Sequence, residues 1–571
     1  MRSARSELFA PLGLALALLV APLGGAPAFA QTPGEDDGAL EMGADEVGGD
    51  EAVEMGPEYK VDPAVLQRML TDGKAFLASG HHLLAAAKFF DAVSNGDPID
   101  PIVQEAQFQL AVTLYQLKLY QSALTRLEPI VDEGDNHPKY LQALPYLLYI
   151  AREAGSGSDV LDKLSRYPEA AYPPDLAGEL HFLVGQYFFN QDAYDEALAH
   201  FQKVGEDQGR FYVRARFLEG VIHTVQSNLA QDPAHTDVAR LKAAAESFKK
   251  VLRYKRDHGG DPVVDNVARM AHLALGRLFF STRQYNVALR YYDQVERGGM
   301  DWLNALFEVS WVYFQLRKYP RALGNLHTLN SPYFADQYFP ESRVLQALIL
   351  FYNCHYKESL AVVQDFVNEY LPIMKKLKEQ VNQFSDPNAF YGWLAKLATA
   401  GEDIDPRFRR IFSAALADRK VRHKFGYVAV LDRELKHLDT LAGAQPEAAN
   451  MLETLRGEVT AIRSLVVGEA GSIAQTRLQR VLKELRGHLA GALKIKGETL
   501  KAQRGALNAT VKAEQKAAAA AQFEITLDSE HFEWPFTGEY WKDELGSYVY
   551  DVKSACAAPT SKAPAGGASG Q

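Results

Sequence analysis

The amino-acid sequence predicts an all-α fold, a superhelical solenoid of about eight helix pairs over 61–370 followed by a long, coiled-coil-like helical hairpin. Three observations carry this expectation. Apolar residues recur at helical spacing almost continuously between residues 62 and 370. The same stretch is self-similar at a fixed period. Beyond residue 452, leucines and valines recur in alternating steps of three and four, the pattern of a coiled-coil seam.

The first thirty residues carry Arg2 and Arg5, an apolar stretch from Leu8 to Leu23, and Ala28-Phe29-Ala30 before Gln31. Charge, apolar run and small-residue site in that order predict a secretory signal peptide over 1–30, cleaved after Ala30. The uninterrupted apolar core, Leu12 to Ala21, is shorter than the roughly 20 residues of a membrane span. Residues 31–58 are acidic and glycine-rich with no Lys or Arg, so a disordered leader is expected over 31–60. The full chain of 571 residues carries a formal charge of −11 and two cysteines, Cys354 and Cys556. Its stability is therefore expected to come from packed cores. The two thiols are read as one buried side chain within a helical pattern and one incidental tail residue, with a bridge between them as the alternative.

The period is clearest between 271–295 and 305–329. Aligning Gly276 with Ser310 puts Phe279 on Tyr313, Ala288 on Ala322 and Val295 on Leu329, a shift of 34 residues. Further copies carry Gly185, Phe188, Ala197 and Phe201, then Ala111, Leu114, Ala123 and Leu127, and Ala347, Leu350, Ser359 and Val363. The first copy is assigned Ala86, Phe90 and Val93. Two units depart from the pattern, one around Tyr146–Tyr167 with its GSGSD run, the other between Phe211 and Tyr254 with a surplus near SNLAQDPAHTDVAR. The period and these positions resemble the tetratricopeptide repeat (TPR), in which small residues let two antiparallel helices approach and aromatics fill the space between them. Each pair leaves an apolar face that the next one covers.

The resemblance implies a concave groove lined by the first helix of each pair. The residue four places after the small one is Tyr115, Phe189, Phe280, Phe314 and Phe351. Phe307 and Trp311 fall at neighbouring groove positions, with Gln186 and Arg277 as polar residues able to fix a partner's backbone or carboxylates. These nine residues are the expected partner-binding set. Packing against the adjacent repeat is the alternative role for the same rings.

After 370, Pro372, Pro387 and Pro406 punctuate a helical connector (371–424) leading to the hairpin (425–522), its turn expected at Gly468–Ser472. Leu452, Leu455, Val459, Ile462 and Val466 form one seam, and Leu478, Leu482, Leu485 and Leu489 the other. The second arm is basic, from Arg477 to Lys516. An aromatic segment (523–556) holding Trp534, Phe536, Tyr540, Trp541, Tyr548 and Tyr550 is expected to dock on the hairpin or on a partner, before a flexible tail at 557–571. The layout and the WPFTGEYWKDEL ending are similar to the periplasmic TPR proteins of myxobacterial adventurous gliding. That similarity implies a place in an envelope-spanning motility complex.

No GxSxG, HExxH, GxxxxGK or CxxC motif is present. Adjacent His81-His82, the recurring His181 and His272, and Asp403 with Asp405 are read as solvated or packing residues. No enzymatic role, cofactor or metal is expected. The partners expected are envelope proteins and a membrane-associated complex in the periplasm, not nucleic acid. Self-association through the hairpin, or assistance in polysaccharide export or outer-membrane assembly, are the alternatives.

Overall fold

The computed structural model describes residues 61–154, 159–227, 236–399, 406–443, 445–510 and 533–556. The signal peptide, acidic leader, GSGS run, most of the surplus before Val238, Asp403 and Asp405, the arm beyond 510 and the terminal tail lie outside them. The described residues hold twenty α-helices and no strand. None of these helices is long and apolar enough to cross a membrane. They divide into two compact units, one of 61–204 with 422–469, the other of 205–421 with 470–556.

Among the described residues the repeats are eight helix pairs. Those of the first unit are α1 (Pro63–Ala78) with α2 (His82–Asn95), α3 (Pro101–Gln116) with α4 (Tyr120–Glu133), α5 (Tyr140–Ala154) with α6 (Val160–Ser165), and α7 (Ala177–Asn190) with α8 (Tyr194–Gln202). The second unit has α9 (Arg210–Gln226) with α10 (Val238–Asp257), and α11 (Pro262–Ser281) with α12 (Tyr285–Tyr292). It continues with α13 (Trp302–Gln315) and α14 (Tyr319–Leu329), then α15 (Pro340–Tyr352) and α16 (Tyr356–Gln383). Three first helices start alike, at Asp62-Pro63, Asp100-Pro101 and Asp261-Pro262. Each aspartate accepts a hydrogen bond from the N–H two residues on, at 2.9, 2.7 and 2.7 Å. A capping carboxylate followed by a residue lacking the N–H is a strong helix start.

Within a pair, the small residue meets a buried ring. A Cβ on Gly276 would lie 2.8 Å from the Tyr292 ring, so nothing larger fits. The same contact fixes the register of the first pair, where Gly73 faces Phe89. The first copy therefore uses Ala85 and Phe89, one residue before the expected Ala86 and Phe90. The run AAAKFF supplies an alanine and a phenylalanine in both registers, and only the partner glycine distinguishes them.

Pro372 does not break the chain, because α16 continues through it to Gln383. The remaining helices are α17 (Pro387–Thr399), α18 (Pro406–Leu416), α19 (Arg419–Leu441) and α20 (Ala449–Thr510). The expected turn at Gly468–Ser472 is absent, since α20 is continuous over 62 residues. Gly471 serves a close approach instead: a Cβ there would sit 2.0 Å from the Pro387 carbonyl oxygen. The hairpin turns between Leu441 and Ala449. Its arms, α19 and the start of α20, are joined by the ion pairs Asp439–Arg456 (2.8 Å), Asp432–Arg463 (2.5 Å) and Lys424–Glu469 (2.6 Å).

The end of the second leucine seam packs on the repeats rather than on a hairpin arm. Leu485, Leu489, Ala492 and Ile495 form one cluster with Ala347 and Leu348 of α15 and Val363, Phe366 and Tyr370 of α16. Gln475 donates to the carbonyls of Val381 (3.1 Å) and Phe384 (3.0 Å), satisfying the end of α16. Along the basic stretch of α20, Arg477 lies 3.6 Å from Asp418 and 3.5 Å from Glu484.

Candidate functional site

The aromatic at the end of the first helix belongs to a turn that recurs in five repeats. Three residues after Tyr115, Phe189, Phe280, Phe314 and Phe351 stand Lys118, Asp192, Arg283, Arg317 and Cys354, all with φ between 60° and 64°. Five residues after each aromatic, a tyrosine opens the second helix. The ring pairs Tyr115–Tyr120, Phe189–Tyr194, Phe280–Tyr285, Phe314–Tyr319 and Phe351–Tyr356 have centroids 5.6 to 6.2 Å apart. In each turn a backbone N–H reaches back five residues, as from Gln284 to the Phe279 carbonyl (2.7 Å) and from Lys318 to Tyr313 (2.8 Å). This is a Schellman-type closure with a side-chain-bearing residue in the left-handed position that favours glycine. In the α7–α8 turn, Tyr194 donates to Asp192 at 2.9 Å, and burial together with that carboxylate pushes the phenol up to about 12.

All five rings are half-buried, presenting an apolar face with a tyrosine edge at the same place in each of these repeats. Tyr115 also meets Tyr146 and Tyr149. Gln186 is half-buried on α7, next to Gly185.

Other expected residues serve the chain itself. Arg277 is not available to a partner: it is 4% exposed and donates to both oxygens of Glu308, at 2.6 to 3.1 Å. Burial opposes its charge, but the adjacent Glu308 carboxylate outweighs this and holds the guanidinium ionised. Phe307 is buried in a cluster with Leu306, Ala322, Leu326 and Val552. Trp311, Phe314 and Phe351 pack against the cluster to which α20 contributes Leu485 and Leu489. Surface that the sequence assigned to a partner is thus covered partly by this chain's own long helix.

The aromatic terminus docks on the repeats of the second unit rather than on the hairpin. Across α14, Gly546 N–H donates to Thr328 Oγ1 (2.9 Å) and Tyr550 N–H to the Pro320 carbonyl (3.0 Å). His327 sits among Phe536, Tyr540 and Tyr548, with centroids 4.5 to 5.0 Å away. At the α15–α16 turn, Ala555 N–H donates to the Asn353 carbonyl (2.9 Å), and His355 Nε2 to that of Lys553 (2.7 Å). There Cys354 and Cys556 form a disulfide, which corrects the expectation of two separate thiols. Cys354 lies in the turn, not in a helix, so its sulfur meets the passing segment.

A second set of long-range contacts was not legible in the sequence. Glu434 of α19, 3% exposed, accepts from Gln121 N–H (2.7 Å), Ser122 N–H (2.9 Å) and Ser122 Oγ (2.7 Å) at the start of α4. Burial raises its carboxyl, and these bonds oppose that shift. Beside it, Tyr427 donates to Gln121 Oε1, His437 Nε2 to the Leu117 carbonyl (3.0 Å), and Arg126 pairs with Glu458 at 2.7 Å.

No protein-family model and no curated protein matches this sequence. Solved structures that align with it include a tetratricopeptide repeat protein from Parabacteroides merdae, at 11% identity and a TM-score of 0.22 over 53% of this chain and 93% of that one. The TPR domain of P58(IPK) aligns at 15% identity and a TM-score of 0.16, over 76% and 99% of the two chains. The Cut9–Hcn1 heterotetramer of the APC/C aligns at 12% and 0.17, over 77% and 90%.

Proposed function

We propose that this chain is an exported, non-catalytic scaffold that holds other proteins of a bacterial cell envelope on its repeats. The observation that carries this reading is the half-exposed ring pair at the same turn of three repeats, Tyr115–Tyr120, Phe189–Tyr194 and Phe280–Tyr285. A rigid aromatic face with a hydroxyl edge buries much area at little entropic cost, and protein interfaces concentrate their binding energy in such groups. Export to the periplasm, with cleavage after Ala30, is supported by the pattern of residues 1–30. The Cys354–Cys556 bond supports it independently, because disulfides persist in oxidising compartments. Membership of a gliding-motility complex rests on the layout of the chain and its WPFTGEYWKDEL ending.

The test is crosslinking in intact cells, comparing the native chain with a Phe189→Ala, Phe280→Ala variant of unchanged helicity and melting. Envelope proteins captured by the native chain and lost from the variant support the scaffold reading. Identical capture removes the rings from it. Gliding speed in a strain lacking the chain decides the process.

A self-associating structural role is the second reading, favoured by Leu493 and Leu500 of α20, which are 53% and 40% exposed and one heptad apart. Sedimentation of a Leu493→Gln, Leu500→Gln variant separates the two: loss of a native dimer with capture intact favours self-association.

A further inference from the structure

The fourth helix pair brings two histidines together. His181 lies on α7 and His200 on α8, and their Nδ1 atoms are 3.2 Å apart, with ring centroids at 5.3 Å. Glu169, in the 3-10 turn Glu169–Ala171 before α7, places a carboxylate oxygen 4.0 Å from His200 Nε2. One ligand atom from each of the three lies within 4.8 Å of the others. Tyr172 packs its ring on His181 at 5.1 Å, and its hydroxyl is buried with no hydrogen-bond partner among the described residues. Phe188 covers the second histidine, stacking on His200 at 5.7 Å.

We propose that Glu169, His181 and His200 form a zinc site. Two nitrogens bound tetrahedrally at about 2.0 Å stand roughly 3.3 Å apart, close to the separation already present here. The donor set, two imidazoles and one carboxylate, suits zinc and its transition-metal neighbours, whereas calcium and magnesium take oxygen ligands. Both imidazoles are half-buried, and desolvation favours their neutral form, which leaves a lone pair for the metal. Without an ion, the two facing Nδ1 atoms can share only one proton between them. With one, both become donors to the same centre.

The carboxylate now holds Lys203, whose ammonium lies 2.5 Å from both Glu169 oxygens. That lysine is 46% exposed, so it can swing into water when a divalent ion replaces it. Three protein ligands leave the fourth position of the ion to water. The bound ion would tie the connection before α7 to both helices of the pair, at a point where the chain has only a three-residue turn.

The experiment is titration calorimetry of zinc chloride into the chelator-stripped full chain at neutral pH, with cobalt(II) as a second probe. The expected result is one equivalent bound per chain, a raised melting temperature, and the intense visible absorption of four-coordinate cobalt. Glu169→Gln, which alters an exposed side chain, is expected to weaken zinc binding at least about tenfold, the loss that even an outer-shell change brings. His181→Ala with His200→Ala is expected to abolish it. Far-UV circular dichroism and melting without zinc report whether each variant is folded. No stoichiometric zinc binding by the native chain overturns the site. So does binding that the folded variants retain, because the ion would then lie elsewhere.

Discussion

Helix α19 and the segment 533–556 both return to repeats far earlier in the chain, but different forces hold them there. Glu434 reaches across 313 residues and is secured as a buried carboxylate that supplies the missing helix hydrogen bonds at the start of α4. The terminal segment has no regular structure. It is held by backbone N–H groups, by aromatic rings around His327, and by a covalent bond across 202 residues. A helix can place an isolated charge with enough support to bury it. An extended strap exposes much of its own apolar surface, including Trp534 at 61% and Phe536 at 52%, and needs the crosslink.

The largest effect should come from removing that crosslink. Cys354→Ser with Cys556→Ser is expected to lower unfolding stability by about 4 kcal/mol, since a long closed loop restricts the unfolded chain most. Denaturant unfolding under oxidising conditions measures it, and a native chain in reductant should match the variant. If the double variant is as stable as the native chain, the strap is held by its rings and backbone alone.

Next comes Glu434→Ala, which strands two buried N–H groups and a hydroxyl. A loss of about 3 kcal/mol is expected, with Glu434→Gln losing less because an amide oxygen still accepts. Hydrogen exchange at Gln121 and Ser122 should speed up while the strap's amides stay protected. Equal loosening of both would erase the distinction between the two anchors.

Acid should act on the two anchors with opposite sign. Burial lowers His327 beneath the strap, so the unfolded chain takes up that proton first and the strap loosens as pH falls below 6.5. Burial raises Glu434, so there the folded chain takes up the proton first and the α19 anchor is not weakened over the same range. Whole-chain melting also carries His488 of α20, which burial pushes down to about 4 from 6.5. Its penalty is absent above pH 6.5 and grows as pH falls toward 4, to about 2 kcal/mol after allowing for partial exposure. His488→Phe should flatten that part of the melting-versus-pH curve and leave the smaller effect of His327 visible. An unchanged curve would mean that the His488 site admits water.

The smallest effect tests the repeats without touching either anchor. Arg283 holds φ at 60°, and Arg283→Gly should stabilise the chain by up to about 1 kcal/mol by relieving that conformation. Thermal melting would read it. A destabilised variant would mean that the arginine side chain contributes more than the backbone relief.

The paired helices were legible because a 34-residue spacing of small and aromatic residues maps directly onto the contact between Gly276 and Tyr292. The ring positions were legible for the same reason. Their partners were not. Arg277 reads as a free cation until the next repeat places Glu308 against it, and neither residue belongs to the signature. Gly471 reads as a turn because glycine disfavours helix, yet here its missing side chain admits the Pro387 carbonyl. Glu434 resembles any surface glutamate in sequence, since what buries it lies on α4. Local spacing therefore revealed each pair, while contacts between distant segments had no periodic signal.

The five turns that share one backbone shape also make a set of interchangeable attachment points. Lys118, Asp192, Arg283 and Arg317 are exposed, and each occupies the conformation in which Cys354 presents its sulfur. A cysteine introduced at any one of them would carry a dye, spin label or crosslinker at an equivalent place in its repeat. Evolution has used one member of this series for a permanent link, and the other four offer an experimenter calibrated handles along the same chain.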